Sequence, residues 1–131
     1  MKETFEGGCD CGAVRYQARG PLRDVTNCHC GQCRRTHGHF AAYTNADKDG
    51  LSFIEDRGLK WYKSSDFARR GFCGECGASI FWEAHTADQI GIAAGTLNGP
   101  TGLKTVADIF VADQPDYYRL DPDLPHFQQG D

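Results

Sequence analysis

The chain reads as a mainly β protein with short helical turns, and three observations predict this. Polar and apolar residues alternate in short segments, sixteen glycines punctuate those segments, and no stretch carries the sustained 3.6-residue period of an amphipathic helix. At 131 residues the chain is long enough to bury a core and fits one domain spanning 1–131.

Taken in order, the first strand runs through Val14, Tyr16 and Ala18, which share one face while Arg15, Gln17 and Arg19 take the other. Phe40 to Tyr43 forms the next strand. Between them, Arg34-Arg35-Thr36-His37 makes a helical turn after Cys33 and is stopped by Gly38. Leu51-Ser52-Phe53-Ile54 and Leu59-Lys60-Trp61-Tyr62 flank a turn through Asp56-Arg57-Gly58 and read as a hairpin. Further strands are expected over Ser79 to Glu83, Gln89 to Ala94 and Val106 to Ala112. Pro115, Pro122 and Pro125 then prevent regular structure in the tail, and Gln128 to Asp131 are expected to fray.

The chemistry is concentrated in seven cysteines that fall into three clusters: Cys9-x-Cys11, Cys28-x-Cys30-x-x-Cys33 and Cys73-x-x-Cys76. An odd count, and an opening (Met1 to Glu6) without an apolar signal segment, argue against a disulfide framework. Inert core thiols have no reason to cluster at such gaps. The C-x-x-C pairs also have the form of a redox dithiol, but seven clustered thiols fit metal ligation best. Seven divides as four plus three. A closed structural zinc takes four protein ligands, and a catalytic zinc takes three with one position open.

Spacing leaves two pairings. Joining Cys30/Cys33 to Cys73/Cys76 makes a zinc ribbon, although 39 residues separate the pairs, more than the roughly 15–20 usual for that pattern. Keeping Cys28, Cys30 and Cys33 together and joining Cys9/Cys11 to Cys73/Cys76 uses each cluster whole. In either arrangement glycines beside Cys9, Cys11, Cys73 and Cys76 permit the tight turns that aim two sulfurs at one ion.

Composition narrows the partners. No apolar run approaches the roughly 18 residues of a membrane span, so a soluble, cytoplasmic protein is expected. The formal charge of −4 becomes about −7 once both ligand sets are deprotonated and loaded. An acidic chain is a poor match for a phosphate backbone, which argues against a nucleic acid partner. Arg34, Arg35, Arg69 and Arg70 are the candidates for a local basic patch.

Four motifs together resemble a known family. Gly7-Gly8-Cys9-Asp10-Cys11-Gly12-Ala13-Val14-Arg15-Tyr16, Cys28-His29-Cys30-Gly31-Gln32-Cys33-Arg34-Arg35, Arg70-Gly71-Phe72-Cys73-Gly74-Glu75-Cys76-Gly77 and Gly95-Thr96-Leu97-Asn98 are similar, in order, to the motifs of the glutathione-dependent formaldehyde-activating enzymes. The resemblance runs from about Gly7 to Phe127. It implies a zinc-stabilised β-sheet domain of the Mss4-like type, two zinc ions per chain, and carbon–sulfur lyase chemistry that interconverts glutathione and formaldehyde with S-hydroxymethylglutathione. It also implies the pairing: Cys9, Cys11, Cys73 and Cys76 as structural zinc ligands, and Cys28, Cys30 and Cys33 as ligands of the catalytic zinc. Two positions depart from the family pattern. Many relatives carry His where this chain has Asp108, and Asp where it has Asn98, which points to an altered substrate.

Around the open zinc, Arg34 and Arg35 are the candidates for gripping a substrate carboxylate. His29 lies between two ligands and tends to point away from them, and His37 and His39 are candidate proton carriers. Trp61, Tyr62, Phe81 and Trp82 are expected in the core or a pocket wall. The expected partner is a small thiol such as glutathione. The competing reading is a non-catalytic zinc-stabilised module that binds a protein or nucleic acid through Arg34/Arg35 and Arg69/Arg70. A weaker third reading makes the three-cysteine site a redox- or metal-sensing switch.

Overall fold

Ten strands and one short helix arrange the described residues, 3–130, of this computed structural model. They are β1 (Thr4–Gly8), β2 (Arg15–Arg19), β3 (Val25–Cys28), α1 (Gly31–His37), β4 (Ala41–Asp47), β5 (Leu51–Glu55), β6 (Leu59–Lys63), β7 (Ala68–Cys73), β8 (Ser79–Ala84), β9 (Gln89–Ala93) and β10 (Thr105–Ile109). A three-stranded sheet has the order β1-β2-β5. A seven-stranded sheet runs β10-β3-β4-β9-β8-β7-β6, with only the β10/β3 pair parallel. The mainly β architecture is therefore the one the alternation predicts.

The core cluster draws on both sheets. Tyr16 and Ala18 of β2 and Ile90 and Ile92 of β9 are spaced two apart, as a half-buried strand requires, and meet Phe5, Ile80, Phe81 and Leu97. Each such large apolar side chain contributes roughly 1.5–3 kcal/mol on burial. Strand β8 breaks the alternation. Its register against β7 shifts so that Ile80 is the extra residue between the Phe72–Ser79 and Gly71–Phe81 pairs, and the irregularity brings neighbours Ile80 and Phe81 into one core. The Tyr16 and Phe81 rings pack edge-on at 5.3 Å, and the Tyr16 hydroxyl is satisfied by Thr96 Oγ1 at 2.7 Å.

The structure corrects three local expectations. The 51–54 and 59–62 segments are both strands but not a hairpin: β5 pairs with β2 in the small sheet, and β6 with β7 in the large one. Gly58 is the reason. Its N–H donates to Ala13 O at 3.0 Å and its carbonyl accepts from Gly74 N–H at 2.7 Å, so the linking turn is tied to the loops carrying Cys9/Cys11 and Cys73/Cys76. A Cβ at position 58 would lie 2.7 Å from Ala13 Cβ and 2.9 Å from Cys73 Sγ, so only glycine fits. The second correction concerns the helix, which begins at Gly31 and encloses Cys33. The third is the tail, where Gln128 and Gln129 are not frayed. Phe110 N–H donates to Gln129 O at 3.0 Å and Ala112 N–H to Gln128 O at 3.4 Å, while Asp108 pairs with His126 and covers the edge of β10. Asp131, like Met1 and Lys2, lies outside the described residues.

Candidate functional site

Two groups of thiols form, and each sequence cluster is used whole. Cys9, Cys11, Cys73 and Cys76 bring their sulfurs within 4.8 Å of one another, and so do Cys28, Cys30 and Cys33. The ribbon alternative is not the arrangement found, and all seven cysteines are free of disulfides.

The four-cysteine group is assembled from the loop after β1 and the end of β7. Cys9 Sγ lies 3.8 Å from Cys11 Sγ, which lies 3.8 Å from Cys73 Sγ. A tetrahedron of sulfurs around zinc at ~2.3 Å has an edge of about 3.8 Å, so the donor set fits that ion. Backbone N–H groups aim at the sulfurs, from Val14 to Cys9 at 3.2 Å and from Glu75 and Cys76 to Cys73 at 3.4 Å. Such donors stabilise thiolates and hold their direction. The left-handed backbone of Gly12 and Gly77 (φ 86° and 83°) makes both turns possible. The Ala78 backbone, then that of Cys11, holds the Cys76 thiol down to about 6.

The three-cysteine group sits where β3 gives way to α1. Cys28 ends the strand, Cys30 caps the helix and Cys33 is buried in its first turns. Cys30 Sγ accepts the Cys33 N–H at 3.3 Å, so a candidate metal ligand doubles as the helix cap. Cys33 is held down to about 5, first by hydrogen bonding from Cys28 and then, against the upward pull of burial, by the Arg70 guanidinium. The Cys28 thiol is pushed up in turn, first by that interaction with Cys33 and then by burial.

What separates the groups is access. Cys28, Cys30 and Cys33 line a cavity of about 430 Å³, walled by Tyr43, Phe67, Trp82, Ile109 and Phe110 and carrying the polar groups of Arg23, Gln32 and Arg70. None of the four-cysteine group contributes to its lining.

The other expected residues are distributed as follows. Arg34 is half-buried and Arg35 exposed on α1, and neither lines the cavity. The arginine at the three cysteines is Arg70, whose Nη2 is 3.6 Å from Cys33 Sγ and 3.4 Å from Gln32 Oε1. Arg69 pairs with Glu83 at 2.7 Å and lies over the Trp61 ring, so Arg69 and Arg70 make no common basic patch. His29 is buried and turned from the sulfurs, Nε2 facing Asp108 Oδ1 at 2.7 Å and Nδ1 the Tyr118 hydroxyl at 2.5 Å. Burial, followed by the charges of Tyr117 and Asp108, raises the Tyr118 phenol, so it keeps its proton. Asp108 is thus the anchor of the Cys28–Cys30 segment, and neither it nor the exposed Asn98 lines the cavity. His37 Nε2 meets the Tyr43 hydroxyl at 2.8 Å, and His39 meets Tyr117 at 2.7 Å. Burial first, and then the Arg70 charge, holds His37 down to about 4. Phe81 is core, Trp82 lines the cavity, and Tyr62 is exposed.

Tyr43 and Phe110 are functional-site candidates that the sequence does not point to, and Arg70 stands out there only as part of a basic patch. In the sequence Arg70 is only half of an Arg-Arg pair, and its orientation depends on β7, a strand whose sequence, Ala-Arg-Arg-Gly-Phe-Cys, shows no clean alternation.

Several known proteins are similar to this chain. The family model described as glutathione-dependent formaldehyde-activating enzyme matches residues 4–113. An uncharacterized lyase of Schizosaccharomyces pombe is 32% identical over 117 residues, 87% of this chain and 83% of the yeast protein. A Halomonas elongata protein with the provisional name glutathione-dependent formaldehyde-activating enzyme is 33% identical over 86 residues, covering 60% of this chain and 54% of its own. A crystal structure of a Rhodobacter sphaeroides protein superposes with a TM-score of 0.61 at 26% identity, covering 76% of this chain and 97% of that one.

Proposed function

This chain belongs to the glutathione-dependent formaldehyde-activating enzyme family, and we propose that it is a zinc-dependent carbon–sulfur lyase acting on a small thiol–aldehyde adduct of the S-hydroxymethylglutathione type. The observation that carries this reading is the asymmetry between the cysteine groups: four ligands in a closed set away from the cavity, and three on its wall. A non-catalytic module has no use for that opening. Cys9, Cys11, Cys73 and Cys76 are assigned to a structural zinc, and Cys28, Cys30 and Cys33 to the reactive one. Zinc on three thiolates supplies a Lewis-acidic position at which an added thiol is kept as thiolate at neutral pH.

The chain's own residues then have defined tasks. Trp82, Ile109 and Phe110 exclude water from the reacting carbon. The sulfur–carbon bond forms as the carbonyl double bond opens onto oxygen, and the proton lost from the thiol ends on that oxygen, so no oxidant or reductant is required. Among the hydroxyl-bearing residues of the cavity wall, Thr26, Tyr43 and Ser65, Tyr43 is assigned to this transfer. Burial raises its phenol, so it keeps its proton, and His37 Nε2 stands 2.8 Å behind it. The reverse path returns the proton to sulfur as the carbon–sulfur bond breaks. Because Asp108 and Asn98 do not line the cavity, glutathione and formaldehyde are the first pair to test.

The reading predicts that zinc-loaded protein accelerates exchange between S-hydroxymethylglutathione and its free components, measured by NMR exchange spectroscopy with labelled formaldehyde. Rates equal to the uncatalysed background for glutathione, cysteine and cysteamine alike, at full zinc loading, contradict it.

A further inference from the structure

A buried guanidinium is costly unless an anion and hydrogen bonds compensate it, and Arg70 lacks the usual compensation. Its side chain is 6% exposed. No carboxylate among the described residues pairs with it. Nε and Nη1 have no hydrogen-bond partner, Nη2 faces Gln32 Oε1 and Cys33 Sγ, and the nearby Tyr43 phenol, raised by burial, brings no negative charge. The neighbouring Arg69 shows the contrast, leaving the other face of β7 to take the Glu83 carboxylate. The anions that can answer Arg70 are the sulfurs of the three-cysteine group on the same cavity wall.

We infer that Arg70 is the resident counter-ion of the three-cysteine centre, a positioning residue that makes the cavity select an anionic sulfur ligand over a neutral one. This rests on the zinc reading of Cys28, Cys30 and Cys33. Three thiolates and a divalent ion carry a net −1, and Arg70, the guanidinium in contact with the sulfurs, brings that sum to zero; Arg23 also lines the cavity, its Nη2 donating to the Tyr43 carbonyl at 2.9 Å. An incoming thiolate then leaves the centre and Arg70 together at −1, where without Arg70 the centre would reach −2. At ångström-scale separation and an effective dielectric constant of about 20, one charge shifts anion affinity by at least about tenfold. A neutral ligand at the same position gains nothing comparable.

The test uses cobalt-loaded protein titrated with thiocyanate, glutathione and imidazole, the cobalt absorption reporting ligand entry and circular dichroism the fold. Arg70→Met is expected to weaken thiocyanate and glutathione at least about tenfold while imidazole changes by less than about twofold, and Arg70→Lys to recover most of the loss. Arg70→Gln carries the same comparison if the methionine variant does not fold. Equal loss of anionic and neutral ligands marks a purely structural role and overturns the inference, as does unchanged affinity for all three. A parent protein with cobalt on the three cysteines that responds to no ligand contradicts the open-site reading itself, so the two failures are distinguishable.

Discussion

Cys76→Ser is expected to cost the protein one metal ion and its fold. Structural zinc in small sites contributes on the order of 10–16 kcal/mol, against a whole-domain stability of about 5–15 kcal/mol. The four-cysteine group joins the loop after β1 to the end of β7, and so ties the small sheet to the large one at the point where Gly58 is wedged against Cys73 and Ala13. Losing one ligand removes that tie and leaves Cys73 as an uncompensated thiolate inside the core. Metal content by native mass spectrometry and thermal melting by circular dichroism check it. Two zinc ions and the parental melting curve in the variant would refute the assignment.

Cys30→Ser is expected to do the opposite, sparing the fold and abolishing the activity. Cys30 is both a ligand candidate and the cap of α1. Serine is among the preferred N-cap residues, and its hydroxyl can take over the Cys33 N–H, so the ~1 kcal/mol cost of an uncapped helix is avoided. The thiolate is lost all the same, and two sulfurs do not hold zinc tightly. One zinc should remain, the melting temperature should fall by only a few degrees, and adduct exchange should drop to background. Exchange at the parental rate would show that the three-cysteine group is not the reactive centre.

Much of the fold and of the candidate site is legible in the amino-acid sequence. The three clusters announce groups of thiols able to hold a metal, alternation finds β2, β8 and β9 within a residue or two, and Gly38 marks the end of α1. The family resemblance supplies the pairing, which spacing alone leaves open. What the sequence conceals is partnership. Periodicity reports that 51–54 and 59–62 are strands but not which sheet receives them, because the loops carrying Cys9/Cys11 and Cys73/Cys76 fix the turn between them. Arg34 and Arg35 draw attention by following Cys33, yet the long-range pairing of β7 with β6 and β8 places Arg70 at the sulfurs. His29 illustrates the same limit: flanked by Cys28 and Cys30 in the chain, it is claimed by Asp108 from β10 and Tyr118 from the tail.

The central claim, that a substrate sulfur enters an open position at Cys28, Cys30 and Cys33, is tested most directly at the zinc X-ray absorption edge with a small selenol, selenocysteamine, in place of the thiol. Selenium is a strong backscatterer and is absent from the seven native cysteines. The account predicts a zinc–selenium shell in the parent protein and none in Cys30→Ser; full zinc loading with no selenium neighbour in the parent would contradict it.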